Sequence, residues 1–194
     1  MVGGVRGFTV IEALFAVAVA VTLISIAVPV TLEGLEETRT RGAARYLAGR
    51  IRLARAMAAA RSRTIGLCFA RAESEYAYAF YEDGDRDGIR TDDMQRGTDR
   101  VLEPLERLTS SFPGVRFGFL DGVPPIGGDA GDSSDPVRAG SSDILSLSPN
   151  GTATAATLYI CGPTRSQYAV RVLGTTGRTR VFRFDRAAAA WIEK

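Results

Sequence analysis

The feature that most constrains this chain is a run without a single charged residue from Ala13 to Leu32, ended by Glu33. A helix needs about 20 predominantly apolar residues to cross a bilayer, and this run meets that length. One carboxylate, Glu12, stands at its leading edge, and Gly7-Phe8 lie just before it. An ionised group at the centre of such a helix costs roughly 2.5 to 3.5 kcal/mol on insertion scales. Glu12, placed near the edge, therefore points to a cationic partner or a processing signal.

A secretory signal peptide would account for Arg6, the apolar core and the small residues Ala16-Val17-Ala18. Such cores are shorter, however, and Glu12 would sit inside one. An ordinary single-pass anchor accounts for the length and leaves Gly7-Phe8 and Glu12 unexplained. The pattern Gly7-Phe8-Thr9-Val10-Ile11-Glu12 after a short leader resembles the class III signal of type IV pilins and type II secretion pseudopilins. Counted from Phe8, Glu12 is fifth and Pro29 twenty-second, both positions where that family has Glu and Pro. The resemblance implies that a prepilin peptidase cuts between Gly7 and Phe8 and that Phe8 is then N-methylated. It also implies that Glu12 meets the N-terminal amine of a neighbouring subunit in a filament. The expected partners are other pilin or pseudopilin subunits, the peptidase, the inner-membrane assembly platform and, before assembly, membrane lipid. Arg6 favours a cytoplasmic leader, with the rest of the chain periplasmic.

Beyond Glu33 the sequence predicts that the helix continues to about Ala60. Leu47, Ile51, Ala54 and Ala58 recur at three- and four-residue intervals, while Arg45, Arg52 and Arg55 fall off that stripe. Pro29 could kink the first half, and Gly34, Gly42 and Gly49 weaken the helix by up to about 1 kcal/mol each. The arginines from Arg39 to Arg63 read as a solvated helical face, partly offset by Glu36 and Glu37, more readily than as a nucleic-acid motif. From Thr64 the period changes. TIGLCFA (64–70) and YAYAFY (76–81) read as a hairpin, and VRFGF (115–119), DILSLS (143–148), TLYIC (157–161), QYAVRVL (167–173) and TRVFRF (179–184) as further strands. AAAAWIEK adds a last short one. The expected fold is α+β: a long N-terminal helix, membrane-spanning then amphipathic, packed on an antiparallel sheet. The expected divisions are a leader at 1–7, a transmembrane or filament-core helix at 8–32 and a periplasmic pilin-like domain at 33–194.

The 194 residues leave room for one modest core after the apolar run. Net charge is only +2, and Lys194 is the sole lysine, so the cationic charge is almost all arginine. Histidine is absent, which removes His-dependent triads and His metal sites, and the chain is not expected to be an enzyme.

Four features remain as candidate sites. Asp83, Asp85 and Asp87, followed by Gly88, match the first half of an EF-hand-type loop and make Ca2+ a candidate ligand. The twelfth position is Met94, so Asp92 or Asp93 would have to substitute; the alternative is a hairpin loop stabilised by Asx turns. Cys68 and Cys161 are the only cysteines and, in an oxidising compartment, are expected to form a disulfide, with two buried thiols as the alternative. Asp121 to Ser142, rich in Gly, Asp, Ser and Pro, reads as an exposed, mobile excursion.

The last feature lies near the C-terminus. Ser148-Pro149-Asn150-Gly151, TLYICGP and QYAVRVLGTTGRTRVFRF together resemble the C-terminal region of the GspH/FimT group of minor pilins and pseudopilins. In FimT-like members a Gly-Arg-x-Arg element is implicated in binding DNA during natural transformation, and here it is Gly177-Arg178-Thr179-Arg180. The resemblance thus implies a minor pilin or pseudopilin of a type IV pilus or type II secretion system. Arg178 and Arg180 are candidates for sequence-independent contact with double-stranded DNA, with Arg171, Arg183 or Arg186 extending the surface. The alternative is a secretion pseudopilin of a tip or priming complex with no DNA binding, in which these arginines are the solvent face of a strand.

Overall fold

A computed structural model of the protein describes residues 9–73, 75–128 and 135–194. The leader and the Gly7–Phe8 junction lie outside the described residues. Helix α1 (Val10–Arg61) comes first, and Thr9 caps it: its side-chain oxygen accepts the Glu12 N–H at 3.3 Å. Pro29 lies inside α1, which the structure assigns as one helix through it, although the ring removes an N–H that would otherwise bond four residues back.

The chain divides after Leu35 into two compact units. In the first, every described residue from Thr9 to Leu35 is exposed. Thr22, Ser25 and Thr31 turn their hydroxyls back onto the carbonyls of Ala18, Val21 and Ala27 at 2.8–2.9 Å. Their polar atoms are thereby satisfied without water, as a lipid-facing helix requires.

The second unit begins at Glu36. Here α1 buries Ala43, Ala44, Leu47, Ala48, Ile51, Ala54 and Ala58, which contains the whole predicted stripe. Four of the seven are alanines besides Ala58, so β-sheet side chains can approach the helix closely. The strands that follow are β1 (Ile65–Ala72), β2 (Glu75–Glu82), β3 (Arg100–Arg107), β4 (Arg116–Phe117), β5 (Val137–Ala139), β6 (Ile144–Leu147), β7 (Ala156–Cys161), β8 (Gln167–Val172), β9 (Thr179–Asp185) and β10 (Ala190–Glu193). They form two sheets where the sequence predicted one. The first runs β3-β2-β1-β6 and the second β10-β9-β8-β7-β4, with β5 also pairing with β7. All pairings are antiparallel. One core joins the helix to both, taking Leu67, Tyr78 and Leu145 from the first sheet and Leu158, Val170 and Val181 from the second.

Strand β3 is not among the strands expected from the sequence, and Pro104 interrupts it. Its position resolves the conflict: β3 is an edge strand, and its register with β2 shifts beside Pro104, where a missing N–H costs no ladder bond. Helices α2 (Thr91–Arg96) and α3 (Leu108–Ser111) were also unexpected. Helix α2 occupies what the sequence offered as the second half of a calcium loop, and Gly97, at φ 77°, ends it in the left-handed conformation. The excursion from Asp121 to Ser142 is not wholly exposed. Val123, Ile126, Val137 and Ala139 are buried, and β5 adds to the second sheet; residues 129–134 lie outside the described residues.

The expected disulfide is corrected. Cys68 and Cys161 are both free thiols. Cys68 sits on β1 of the first sheet opposite Ala79 and Ile144, and Cys161 on β7 of the second opposite Arg116 and Gln167. They face separate surroundings: Cys68 lines a cavity with Met94 and Gln95, whereas Cys161 lies against Gly118. Burial, with a smaller contribution from the Asp99 charge, pushes the Cys68 thiol up to about 12.

Because Leu47 is fully buried at the centre of this face, Leu47→Ala should cost about 2–5 kcal/mol. Denaturant unfolding of the detergent-solubilised chain measures this, and Leu53→Ala, on the exposed side of the same helix, should change little.

Candidate functional site

Three polar constellations stand out in the second unit, and the most highly connected of them was missed by the sequence reading. Glu36 is buried, and its carboxylate faces the turn between β7 and β8. Oε1 accepts the backbone N–H groups of Thr164 (3.1 Å), Arg165 (2.7 Å) and Ser166 (2.9 Å), while Oε2 accepts the Thr164 hydroxyl at 2.5 Å. The turn begins at Gly162, where a Cβ would lie 2.6 Å from Glu36 Oε1 and 2.7 Å from Thr40 Oγ1; only glycine admits this approach. Glu37 continues the network. It accepts hydrogen bonds from the Tyr168 hydroxyl (2.6 Å), the Ser166 hydroxyl (2.9 Å) and Arg41 (3.1 Å), and Arg183 approaches it at 3.2 Å.

Burial alone would raise both carboxyls. For Glu36 the hydrogen bonds from Thr164, Arg165 and Ser166 outweigh it, and for Glu37 those from Tyr168, Ser166 and Arg41, with the Arg183 charge, do the same. Both are held below the usual carboxylate range. The signal was present in the sequence: Glu36 and Thr40 lie in phase with Ala43, Ala44, Leu47 and Ile51 on the buried stripe.

The acidic loop follows β2. Ligand oxygens of Asp83, Asp85 and Asp87 lie within 4.8 Å of one another, and such a set could hold a metal ion. Asp83 is buried and already engaged, its two oxygens accepting the N–H groups of Arg86 (2.6 Å) and Gly88 (3.0 Å). Asp85 accepts the N–H of Asp87 at 3.4 Å, and Asp87 pairs with Arg90 at 2.6 Å. Asp99 reaches in from β3's start to accept the N–H groups of Gly84 and Arg90. Of the residues that would have to complete a calcium shell, Asp93 is bound to Arg96 at 2.9 Å and Met94 lines the Cys68 cavity. Calcium takes six to eight oxygens; the loop supplies half a shell and is closed by its own Asx turns.

The Gly177-Arg178-Thr179-Arg180 element forms the β8–β9 connection and the first residues of β9. Gly177 has φ 59°, and its Cβ would meet Gly151 O at 2.9 Å. Arg178 is exposed, and its side chain has no partner among the described residues. Arg180 is half-buried and ion-paired with Glu193 of β10 at 3.3 Å, so the two arginines are not equivalent. Of the residues expected to extend the surface, Arg171 lies directly opposite Arg180 on β8, whereas Arg183 is bound to Glu37 and Arg186 donates to the Arg165 carbonyl. Glu12 is exposed in the first turn of α1.

A family model described as type II transport protein GspH matches residues 43–177, more than half of the chain. The chain belongs to the GspH family. No curated protein and no solved structure matches it. As a GspH protein it is a type II secretion or pilin-like pseudopilin, a structural component that associates with other pseudopilins. The α+β pilin-like architecture agrees, and the first half of α1 is long and apolar enough to cross a membrane. The matched span contains the core stripe, the Glu36-facing turn, the acidic loop and both cysteines. It excludes Glu12, Arg178 and Arg180.

Two outcomes test these assignments. Glu36→Gln should destabilise the chain by about 1–3 kcal/mol at pH 7, because a neutral amide is a weaker acceptor and brings donors toward donors. Since both folded carboxyls are depressed, their contribution is present above the unfolded value near 4.5 and is lost as pH falls through the folded values. The gap between wild type and variant in urea unfolding should therefore narrow below that range. Asp83→Ala should cost about 1–3 kcal/mol by leaving two N–H groups unpaired, and the cost should be the same with calcium or with chelator. A cost seen only with calcium would make the loop a metal site.

Proposed function

We propose that this GspH protein is made as an inner-membrane precursor, cleaved by prepilin peptidase between Gly7 and Phe8, and N-methylated at Phe8. Its second unit lies in the periplasm, and assembly draws the chain into a type II secretion pseudopilus. In the filament, Glu12 pairs with the terminal amine of a neighbouring subunit, which helps set subunit register. The observation that carries this reading is the helix from Ala13 to Leu32: uncharged, exposed along its whole length, and preceded by Glu12. Such a surface needs lipid or neighbouring helices as its solvent. Glu12, desolvated there, needs a cationic partner.

Gly7→Arg should abolish conversion of precursor to the shorter mature form on immunoblots. Glu12→Gln should be processed normally yet fail to enter sheared filaments. Equal processing of both variants would contradict the peptidase assignment, and normal incorporation of Glu12→Gln would contradict the amine pairing.

A second reading, a role in a type IV pilus that takes up DNA in natural transformation, has one observation in its favour: exposed Arg178 beside the opposed pair Arg171 and Arg180. Two like charges facing each other across strands are unfavourable without counter-charge, and Glu193 supplies only part of it. Contact with phosphate would be sequence-independent and salt-dependent. Arg178→Ala should then lower duplex affinity and reduce the salt slope by about 1; Arg180→Ala should do less, its guanidinium being already paired. No duplex binding at low salt would leave the secretion reading alone.

A further inference from the structure

A cavity of about 420 Å³ opens between the solvent side of α1 and the turn Pro149-Asn150-Gly151. Arg52 and Arg55 line it, with Ala56, Ala59, Pro149 and Asn150. Three other arginines of the helix are engaged: Arg41 with Glu37, Arg50 with Glu103 and Arg61 with Glu82. Arg52 and Arg55 have neither an ion pair nor a side-chain hydrogen bond among the described residues, although both face a concave surface. Asn150 adds a third donor. Its oxygen accepts from the N–H and hydroxyl of Thr152 at 3.0 and 2.7 Å, which leaves its NH2 group for a ligand.

Arg55 is also held in place. It lies across two glycines in the left-handed region, with its guanidinium 3.5 Å from where a Cβ of Gly151 would stand and its Nε 3.2 Å from that of Gly177. A side chain at Gly177 would also strike Gly151 O at 2.9 Å. The two turns thus seat the guanidinium, and Arg178, next in sequence to Gly177, adds a further exposed positive charge. Among the described residues the cavity lining offers donors and no acidic side chain. Its remaining wall is apolar, formed by Ala56, Ala59 and Pro149.

We propose that this cavity is a docking site for an acidic segment of a partner protein, one Asp or Glu carboxylate lying between the Arg52 and Arg55 guanidinium groups. Planar guanidinium forks match a carboxylate with paired hydrogen bonds. The apolar wall selects peptide over phosphodiester, because the methylene stem of an acidic side chain and an adjacent apolar residue gain from burial against alanine and proline. A phosphate group has nothing to bury there. The site is separate from Glu12, and its test does not depend on filament assembly or on DNA binding.

The test uses the full chain in phosphatidylcholine nanodiscs and a fluorescent peptide of alternating Glu and Leu, followed by anisotropy. The same peptide with Gln for Glu and a labelled DNA duplex serve as the other arms. The acidic peptide should bind, the Gln peptide should not, and Arg52→Ala should weaken binding by at least about tenfold, as expected for loss of charge-assisted hydrogen bonds. Arg52→Lys should recover only part of it. Arg52→Ala is the decisive variant because Arg52 is exposed and, unlike Arg55, is not among the groups nearest Gly151 and Gly177. Absence of acidic-peptide binding, equal binding of the Gln peptide, or unchanged affinity in Arg52→Ala would each overturn the proposal. So would duplex binding that Arg52→Ala abolishes while peptide binding persists.

Discussion

The contact on which the second unit depends is the Glu36 carboxylate against the turn after β7. A carboxylate removed from water is costly unless its lone pairs are satisfied, and here three backbone N–H groups and a hydroxyl satisfy them. The turn needs the carboxylate equally, since those N–H groups have no ladder partner. The interaction is directional, whereas the alanine-rich stripe below it is not. Hydrophobic burial makes α1 adhere to the two sheets, and Glu36 sets the rotation and height at which it does so. A slip of one residue along α1 would turn Glu36 away from the turn and bring another side chain against the bare backbone of Gly162.

This division of labour clarifies the arginines. Among those that meet an acid, Arg41, Arg50, Arg61 and Arg183 tie the helix to the strands or brace the Glu37 network. Arg52 and Arg55, which have none among the described residues, both face the turn Pro149-Asn150-Gly151, and Arg178, likewise without one, follows Gly177 in sequence. A pseudopilin acts through the surfaces it presents to other subunits, and the unpaired guanidinium groups are the part of this surface whose chemistry is incomplete. The uncharged half of α1 is incomplete in a different sense, since its residues from Val10 to Leu32 are exposed among the described residues.

Periodic features were legible in the sequence. The stripe Leu47, Ile51, Ala54 and Ala58 gave the helix and its buried face, and the β1–β2 hairpin and β6 to β10 followed from alternation and turn residues. Features that depend on tertiary partners were not legible. Pro104 argues against a strand until β3 is known to be an edge, and three residues of β5 are too few for a period. Glu36 and Glu37 read as charge offsetting neighbouring arginines because their acceptor roles involve residues more than a hundred positions away. Cys68 and Cys161 suggested a bridge by number alone, while the division into two sheets separates them. Arg178 and Arg180 looked equivalent by alternation, until Glu193 on the last strand engaged one of them.

The most direct test of this account is the titration of Glu36 itself, followed by NMR of the side-chain carboxyl carbon in the full chain in detergent micelles. A pKa below the ordinary 4.5, accompanied by shifts of the Thr164, Arg165 and Ser166 amides at the same midpoint, is the predicted result. A value at or above 4.5, or amides that ignore the titration, would contradict the claim that this carboxylate joins the helix to the sheet.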